Sequence, residues 1–162
     1  MDKFALVTGG GVGIGKATAL KLAAAGWHVA VTGRRAEPLQ AVAREVEAKG
    51  RRALAHPCDI GDPAQVRALF DAVQAAFGRL DLLFNNAGVG APAVPMDELT
   101  YEQWKAVVDA NLTGSFLCAQ GAMPLLTMRP PCGRCAFISR MAPCAQRNEP
   151  VRLASTTAFH CS

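Results

Sequence analysis

The sequence predicts an α/β fold in which a parallel sheet is covered by helices on both faces, the doubly wound arrangement. Two observations support this fold: short apolar runs alternate with longer segments of helical periodicity, and a glycine-rich turn follows the first apolar run. The chain has 162 residues, of which 51% are hydrophobic and 19% are charged. This length suffices for one domain with its own core, and the composition excludes intrinsic disorder.

Five short apolar runs are predicted as strands, namely residues 4–8, 28–32, 52–56, 81–84 and 135–139. Between them, helical spacing extends over residues 14–25, before Gly26, and over residues 36–49, before Gly50. A third helix is predicted from Pro63, with Asp62 as its N-cap, to about Phe77. The sequence therefore predicts an incomplete doubly wound sheet of about five strands, with crossover helices between them.

A single long helix is predicted near residues 100–123, because Thr100 and Gln103 have the spacing of a capping box. No run of 18 apolar residues occurs, so the sequence predicts no membrane-spanning helix. The N-terminus lacks the apolar stretch and cleavage site of a secretory signal. We therefore expect a cytoplasmic protein.

Residues 129–162 differ in composition from the rest of the chain. Residues 1–128 carry 12 Lys or Arg and 12 Asp or Glu, so the net charge of +4 arises from the five Arg and one Glu of residues 129–162. Four of the six cysteines lie there as well, at Cys132, Cys135, Cys144 and Cys161. We therefore divide the chain into a domain over residues 1–128 and a continuation over 129–162. That continuation holds the fifth predicted strand and an irregular tail rich in Arg, Cys and Pro.

The glycine-rich turn joins the first strand to the first helix. Glycines allow the main chain to turn tightly and to approach a pyrophosphate, while the amides that begin the helix face the anion. A purely structural turn is the alternative, but the position between strand and helix favours nucleotide binding. The candidate residues for this contact are Thr8, Gly9, Gly11, Val12, Gly13, Ile14 and Gly15.

The end of the second strand is where an acidic residue would bind the ribose diol of NAD. The sequence there is Thr32-Gly33-Arg34-Arg35, with two guanidinium groups and no carboxylate. Because guanidinium groups suit a 2′-phosphate, the sequence favours NADP over NAD. The alternative is that both arginines are simply solvated.

Four motifs in order give the chain its resemblance to the short-chain dehydrogenase/reductase family, whose domain is of the Rossmann type. These motifs are Thr8-Gly9-x-x-x-Gly13-Ile14-Gly15, Cys58-Asp59-Ile60, Asn85-Asn86-Ala87-Gly88 and Asn111-Leu112-Thr113-Gly114. The resemblance covers residues 3–128 and implies that this domain binds NAD(P). It implies that Asp59, beside Ile60, contacts the adenine, that Asn86, Ala87 and Gly88 line the cofactor, and that Asn111 holds a water of the proton relay. Taken singly, each of these residues also has a structural explanation as a cap, a turn or an ordinary helical polar residue.

The family's chemistry is hydride transfer between a nicotinamide and a small carbonyl or alcohol substrate. The resemblance implies that Ser139 polarises the carbonyl. It also implies a Tyr thirteen residues later that donates or removes the hydroxyl proton, and a Lys four residues beyond it that lowers the pKa of that Tyr and binds the nicotinamide ribose. Those positions hold Arg152 and Thr156, and a shift of one residue restores neither side chain. The sequence therefore predicts a truncated or frame-disrupted member of doubtful activity. The alternatives are a catalytically silent NADP-binding or partner-binding module and a non-functional gene product.

Three other features carry weaker hypotheses. Tyr101 and Lys105 have the Tyr-x-x-x-Lys spacing, but they precede Asn111 and are better explained as the opening of an amphipathic helix. Cys132 and Cys135 have the C-x-x-C spacing found in zinc sites, but the downstream Cys144, His160 and Cys161 do not form a second pair with suitable spacing, so we expect no metal. No aromatic platform accompanies the tail arginines, so we expect no nucleic-acid partner. Because the family commonly pairs through its long helix, we also expect a homo-oligomer or a pairing through the helix near 100–123.

Overall fold

A computed structural model describes residues 2–127 and 136–139 of the chain. Within these ranges five strands form one sheet: β1 (Lys3–Thr8), β2 (Trp27–Gly33), β3 (Ala53–Pro57), β4 (Leu82–Asn85) and β5 (Ala136–Ser139). Their order across the sheet is β3-β2-β1-β4-β5, and every neighbouring pair is parallel. The predicted parallel sheet is confirmed.

Five α-helices accompany the sheet within the same ranges: α1 (Gly13–Ala24), α2 (Ala36–Glu47), α3 (Pro63–Phe77), α4 (Tyr101–Val108) and α5 (Gly114–Thr127). The Asp62 side chain caps α3, and the capping box of Thr100 and Gln103 begins α4, both as predicted. Among these helices none is both long and apolar enough to cross a membrane.

The two faces of the sheet bury separate clusters of apolar side chains. Leu6 of β1 packs with Leu69 of α3 and Cys118 of α5 on one face. The next residue, Val7, packs with Ala19 of α1 and Val42 of α2 on the other face. Because successive strand residues point to opposite faces, the buried residues of β1 contribute to both clusters, and the doubly wound arrangement is confirmed.

The prediction of one uninterrupted helix near residues 100–123 is wrong. A π-helical turn (Asp109–Thr113) separates α4 from α5, and α5 continues past Pro124 to Thr127. A π turn accommodates one extra residue, which shifts every later side chain around the helix axis. Directly after this turn, Gly114 lies so close to Ile60 that a Cβ atom there would be 2.7 Å from the Ile60 Cγ1 atom.

Candidate functional site

A crevice of about 850 Å³ opens at the carboxyl end of the sheet. It lies beside β1 and β4, which are neighbours although the chain visits β2 and β3 between them. In open parallel sheets this reversal of strand order is where ligands bind. The sequence-predicted residues that line the crevice are Gly9, Gly11, Val12, Arg34, Arg35, Asp59, Ile60, Asn86, Ala87 and Gly88. The structure therefore brings these ten sequence-predicted residues together.

The glycine-rich turn fits closely against the loop that follows β4. Gly9 has a φ of +64°, and a Cβ atom there would lie 3.0 Å from both the Ala87 Cα atom and the Asn86 Nδ2 atom. A Cβ atom on Gly15 would overlap the Gly9 carbonyl oxygen and lie 2.7 Å from Asn86 Nδ2. A larger residue at either position would therefore displace one wall of the crevice.

Thr8 holds these two walls together from below. Its Oγ1 atom accepts hydrogen bonds from the main-chain N–H groups of Asn86, at 2.9 Å, and Ala87, at 3.0 Å. In return, the Asn86 side-chain amide donates to the Thr8 carbonyl oxygen at 3.1 Å. Thr8 is fully buried and is absent from the crevice wall, so its hydroxyl fixes the distance between the loops.

The start of α1 has open main-chain donors. Its N-cap residue, Val12, makes no side-chain capping hydrogen bond, in contrast to Asp62 at α3. The first N–H groups of a helix have no partner within it, and they carry the positive end of the helix dipole. Because Val12 lines the crevice while Gly13 and Ile14 are exposed beside it, this wall has the chemistry of an anion site.

The crevice carries opposite charges at different points of its wall. Arg34 and Arg35 follow β2, are exposed and line the crevice. The acidic residues among the described lining residues are Asp59 and Asp62 before α3, and Asp109 of the π turn. The end of β2 itself carries no carboxylate, because Gly33 is followed by Arg34, Arg35 and Ala36.

Asp59 and Asp62 lie in a tight turn between β3 and α3. The Asp59 Oδ1 atom accepts from the Gly61 N–H group at 3.0 Å, and Asp62 Oδ1 accepts from the Ala64 N–H group at 2.8 Å. The hydrogen bond from the Gln65 side chain, followed by that from Ala64, lowers the pKa of Asp62 below its ordinary value. Asp62 is thus held as a carboxylate at neutral pH.

The thiols of Cys58 and Cys118 are neutral at neutral pH. Burial, together with the nearby Asp59 and Asp62 charges, raises the pKa of Cys58 to about 11, although a hydrogen bond with Thr32 opposes this. Burial likewise raises the pKa of Cys118 to about 12. Neither thiol therefore has the thiolate character of a nucleophile.

Asn111 lies in the π turn and bonds to the loop after β4. Its Nδ2 atom donates to the Val89 carbonyl oxygen at 2.8 Å, and its Oδ1 atom accepts from the Val89 N–H group at 2.8 Å. A Cβ atom on Gly88 would lie 2.9 Å from the Asn111 Oδ1 atom. Asn111 therefore clamps the segment that carries Ala87 and Gly88 without lining the crevice itself.

The alternative Tyr-x-x-x-Lys pair does not line the crevice. Tyr101 is 67% exposed and stacks on Trp104 with ring centroids 6.3 Å apart. Lys105 pairs with Asp109, which raises the pKa of Lys105 by hydrogen bonding and charge attraction. The structure thus gives these two side chains contacts within their own helix.

Ser139 pairs with Asn85 in the parallel register of β4 and β5, which places its main chain at the carboxyl edge of the sheet. The predicted tail, with Arg152, Thr156 and the cysteines at 132, 135, 144 and 161, lies outside the described residues. Within the described residues, no group of three or more His, Cys, Asp or Glu could hold a metal ion.

Several residues of the crevice wall lie outside the sequence-predicted set. Ala106 of α4 lines the crevice, as do Asp109 and Ala110 of the π turn, where Asp109 packs against Gly61 in the loop before α3. Gln65 also lines it. The spacing of Asp62 and Gln65 indicates only a helix start, so no sequence signal marks Gln65 as a crevice residue.

Comparisons with known proteins agree with this geometry. A sequence profile of the family described as short chain dehydrogenase matches residues 3–150. The 3-oxoacyl-acyl-carrier-protein reductase of Staphylococcus aureus is 41% identical over 125 residues, which cover 76% of this chain and 50% of that protein. The chain spans about half the length of the curated relatives it matches.

Two solved structures have the same fold, and each alignment covers a larger share of this chain than of the solved protein. A 3-ketoacyl-ACP reductase from Sinorhizobium meliloti has a TM-score of 0.78 at 37% identity, covering 83% of this chain and 51% of that one. A short chain dehydrogenase from Burkholderia cenocepacia, in complex with NADP, has a TM-score of 0.73 at 46% identity, covering 76% of this chain and 51% of that one.

Proposed function

Because the chain belongs to the short chain dehydrogenase family of NAD(P)-dependent oxidoreductases, we propose that it binds NADP(H) in the crevice at the carboxyl end of β1. The observation that carries this proposal is the shared wall formed by the glycine-rich turn, the uncapped start of α1 and two exposed arginines. The solved Burkholderia cenocepacia relative, which is 46% identical over the aligned part, holds NADP and supports the same assignment.

The pyrophosphate is assigned to the start of α1. Gly9 and Gly11 line the crevice without side chains, so phosphate oxygens could approach the main-chain amides there directly. The candidate contacts here are the amides of Gly11, Val12, Gly13, Ile14 and Gly15.

The 2′-phosphate is assigned to Arg34 and Arg35. A hydrogen bond to a charged partner contributes about 1.5–3 kcal/mol, and exposure of both guanidinium groups moves each contribution toward the lower value. Together they would favour NADP over NAD by at least about tenfold, at 1.4 kcal/mol per factor of ten.

The remaining binding roles are proposed for residues that follow β4 and for residues in the loop before α3. We assign Asp59 to the amino group of the adenine and Ile60 to the adjacent apolar wall. Asn86, Ala87 and Gly88 form the opposite wall, which Thr8 and Asn111 hold in place.

When bound, NADPH supplies a hydride to a carbonyl carbon. On this chain, Ser139 is assigned to the hydrogen bond that polarises the carbonyl, and Asn111 to a water that carries the proton. The positions of the family's Tyr and Lys hold Arg152 and Thr156. Because a positioned acid contributes about 10²- to 10⁴-fold to such a step, we propose slow turnover of a small carbonyl or alcohol.

A silent NADP-binding or partner-binding module is the second candidate function. Exposed apolar side chains on α4 and α5 favour it, because Trp104, Phe116 and Met123 are each more than half exposed. These exposed apolar side chains would pair with a second copy or with a longer relative.

The proposal is tested first by thermal unfolding of the purified chain with NADP or NAD. We expect a larger rise in melting temperature with NADP, and we expect the variant with Arg34→Ala and Arg35→Ala to lose that difference. Arg44→Ala, which removes an exposed charge from α2 away from the crevice, serves as the matched control. No shift with either dinucleotide would reject the proposed function.

Oxidation of NADPH across a panel of small ketones and aldehydes then separates the two candidates. Slow oxidation that depends on the carbonyl supports the oxidoreductase. Binding without any oxidation supports the silent module.

A further inference from the structure

One side chain connects the turn that carries Asp59 to the first turn of α3. The Gln65 Oε1 atom accepts from the Asp59 N–H group at 2.9 Å, and the Gln65 Nε2 atom donates to Asp62 Oδ2 at 2.9 Å. Both ends of the Gln65 amide are therefore engaged. Gln65 itself lines the crevice, next to the two aspartates that it joins.

The rest of this segment is fixed by separate contacts on either side of Asp59. The Cys58 N–H group donates to the Gly33 carbonyl oxygen at 2.9 Å, and the Asp62 N–H group donates to the Asp59 carbonyl oxygen at 3.1 Å. Ile60 is buried and packs against Gly114 of α5. The Asp59 N–H group points to neither of these anchors and bonds to Gln65 instead.

The Asp59 carboxylate is oriented by the same local geometry. Its Oδ1 atom accepts from the Gly61 N–H group, so rotation about the Cα–Cβ bond is restricted as long as the turn keeps its shape. With Oδ1 engaged in this way, Oδ2 is the oxygen that would receive a donor from a base in the crevice. The direction of that oxygen thus depends on the main chain that Gln65 holds.

We infer that Gln65 is a positioning residue that sets how the crevice recognises the adenine amino group through Asp59. This inference rests on the proposed function, since it needs NADP(H) in the crevice. Because both ends of the Gln65 amide bond to Asp59 and Asp62, its loss should affect discrimination between bases more than contact with the phosphates.

The test compares NADPH with its hypoxanthine analogue, in which a carbonyl oxygen replaces the adenine amino group. Dissociation constants are measured by fluorescence titration of the purified full chain. The wild-type protein is expected to prefer NADPH by about tenfold or more, the value of one hydrogen bond to a charged acceptor. Gln65→Met is expected to reduce this ratio to below about threefold, chiefly by weakening NADPH binding.

Three further variants separate positioning from general damage to the fold. Gln74→Met makes the same change on an exposed position of the same helix, away from the crevice, and should keep the wild-type ratio. Gln65→Glu keeps an acceptor for the Asp59 N–H group but sets a second carboxylate beside Asp62 Oδ2, so it should reduce the ratio, though less than Gln65→Met does. Gln65→Asn keeps the amide but is one methylene too short, so it should behave like Gln65→Met, and it replaces that variant if Gln65→Met fails to fold.

The outcomes distinguish this inference from the proposed function. If Gln65→Met and Gln65→Asn weaken both dinucleotides equally, Gln65 acts only on stability and the inference is overturned while the proposed function stands. A wild-type ratio near one also overturns it, because Asp59 would then not recognise the amino group. If the wild-type chain binds neither dinucleotide, the proposed function and the inference fall together.

Discussion

Replacing Thr8 by valine tests how the crevice is held open. The Oγ1 atom of Thr8 accepts from the Asn86 and Ala87 N–H groups at 2.9 and 3.0 Å, and valine has the same shape without an acceptor. Each lost hydrogen bond costs about 0.5–1.5 kcal/mol, and a buried donor left unsatisfied costs about 1–3 kcal/mol. Because Asn86 and Ala87 are half-buried, we expect Thr8→Val to lose about 2–3 kcal/mol of unfolding free energy.

The matched control is Thr8→Ser, which keeps the oxygen and removes only a buried methyl group. That removal costs about 1 kcal/mol at this fully buried position. Unfolding in urea, followed by the fluorescence of Trp27 and Trp104, measures both variants. The free energy of unfolding should be lower for Thr8→Val than for Thr8→Ser by at least about 1 kcal/mol. Thr8→Val should also lose more affinity for NADPH than Thr8→Ser does. A valine variant as stable as the serine variant would refute this account of the two loops.

Three other changes test separate parts of the structure. Gly15→Ala should abolish NADPH binding, because its Cβ atom would overlap the Gly9 carbonyl oxygen; titration showing wild-type affinity would contradict this. Burial raises the pKa of Cys118 from 9.0 to about 12, so its contribution to stability is full below pH 9 and is lost as the pH rises toward 12. The free energy of unfolding, measured in urea between pH 9 and 11, should therefore fall more steeply with pH for the wild type than for Cys118→Ala. Equal slopes for the two proteins would contradict this prediction. If copies pair through α4 and α5, Phe116→Glu, at a 60% exposed position, should shift sedimentation toward the monomer, whereas unchanged sedimentation of an oligomeric wild type would place the interface elsewhere.

Much of the fold follows from local patterns in the sequence. Uninterrupted apolar runs such as residues 4–8 are typical of parallel strands buried on both faces, and each such run predicted within residues 2–127 is a strand. Asp62 before Pro63 and the Thr100–Gln103 pair predict helix starts correctly, because capping depends on a few neighbouring residues.

The π turn could not be predicted in the same way. Its extra residue brings Asn111 to the Val89 main chain, a contact between positions that are distant along the chain. Hydrophobic periodicity reports which face of a helix is buried, and a single inserted residue alters that pattern too little to be recognised.

The sequence motifs predict the position of the crevice but not the structural role that each residue has in it. Thr8 belongs to the glycine motif, yet it is buried and connects the loops, which follows only from its hydrogen bonds to Asn86 and Ala87. Asp109 lines the crevice because a helix distant in sequence packs over the loop before α3. Such roles depend on tertiary packing, which residue spacing does not encode.

Calorimetric titration of the purified chain with NADPH and with NADH tests the central claim most directly. Tighter binding of NADPH, with the preference lost when Arg34 and Arg35 are both replaced by alanine but kept in Arg44→Ala, is the predicted result. Equal affinity for the two dinucleotides, or no heat of binding with either, would contradict it.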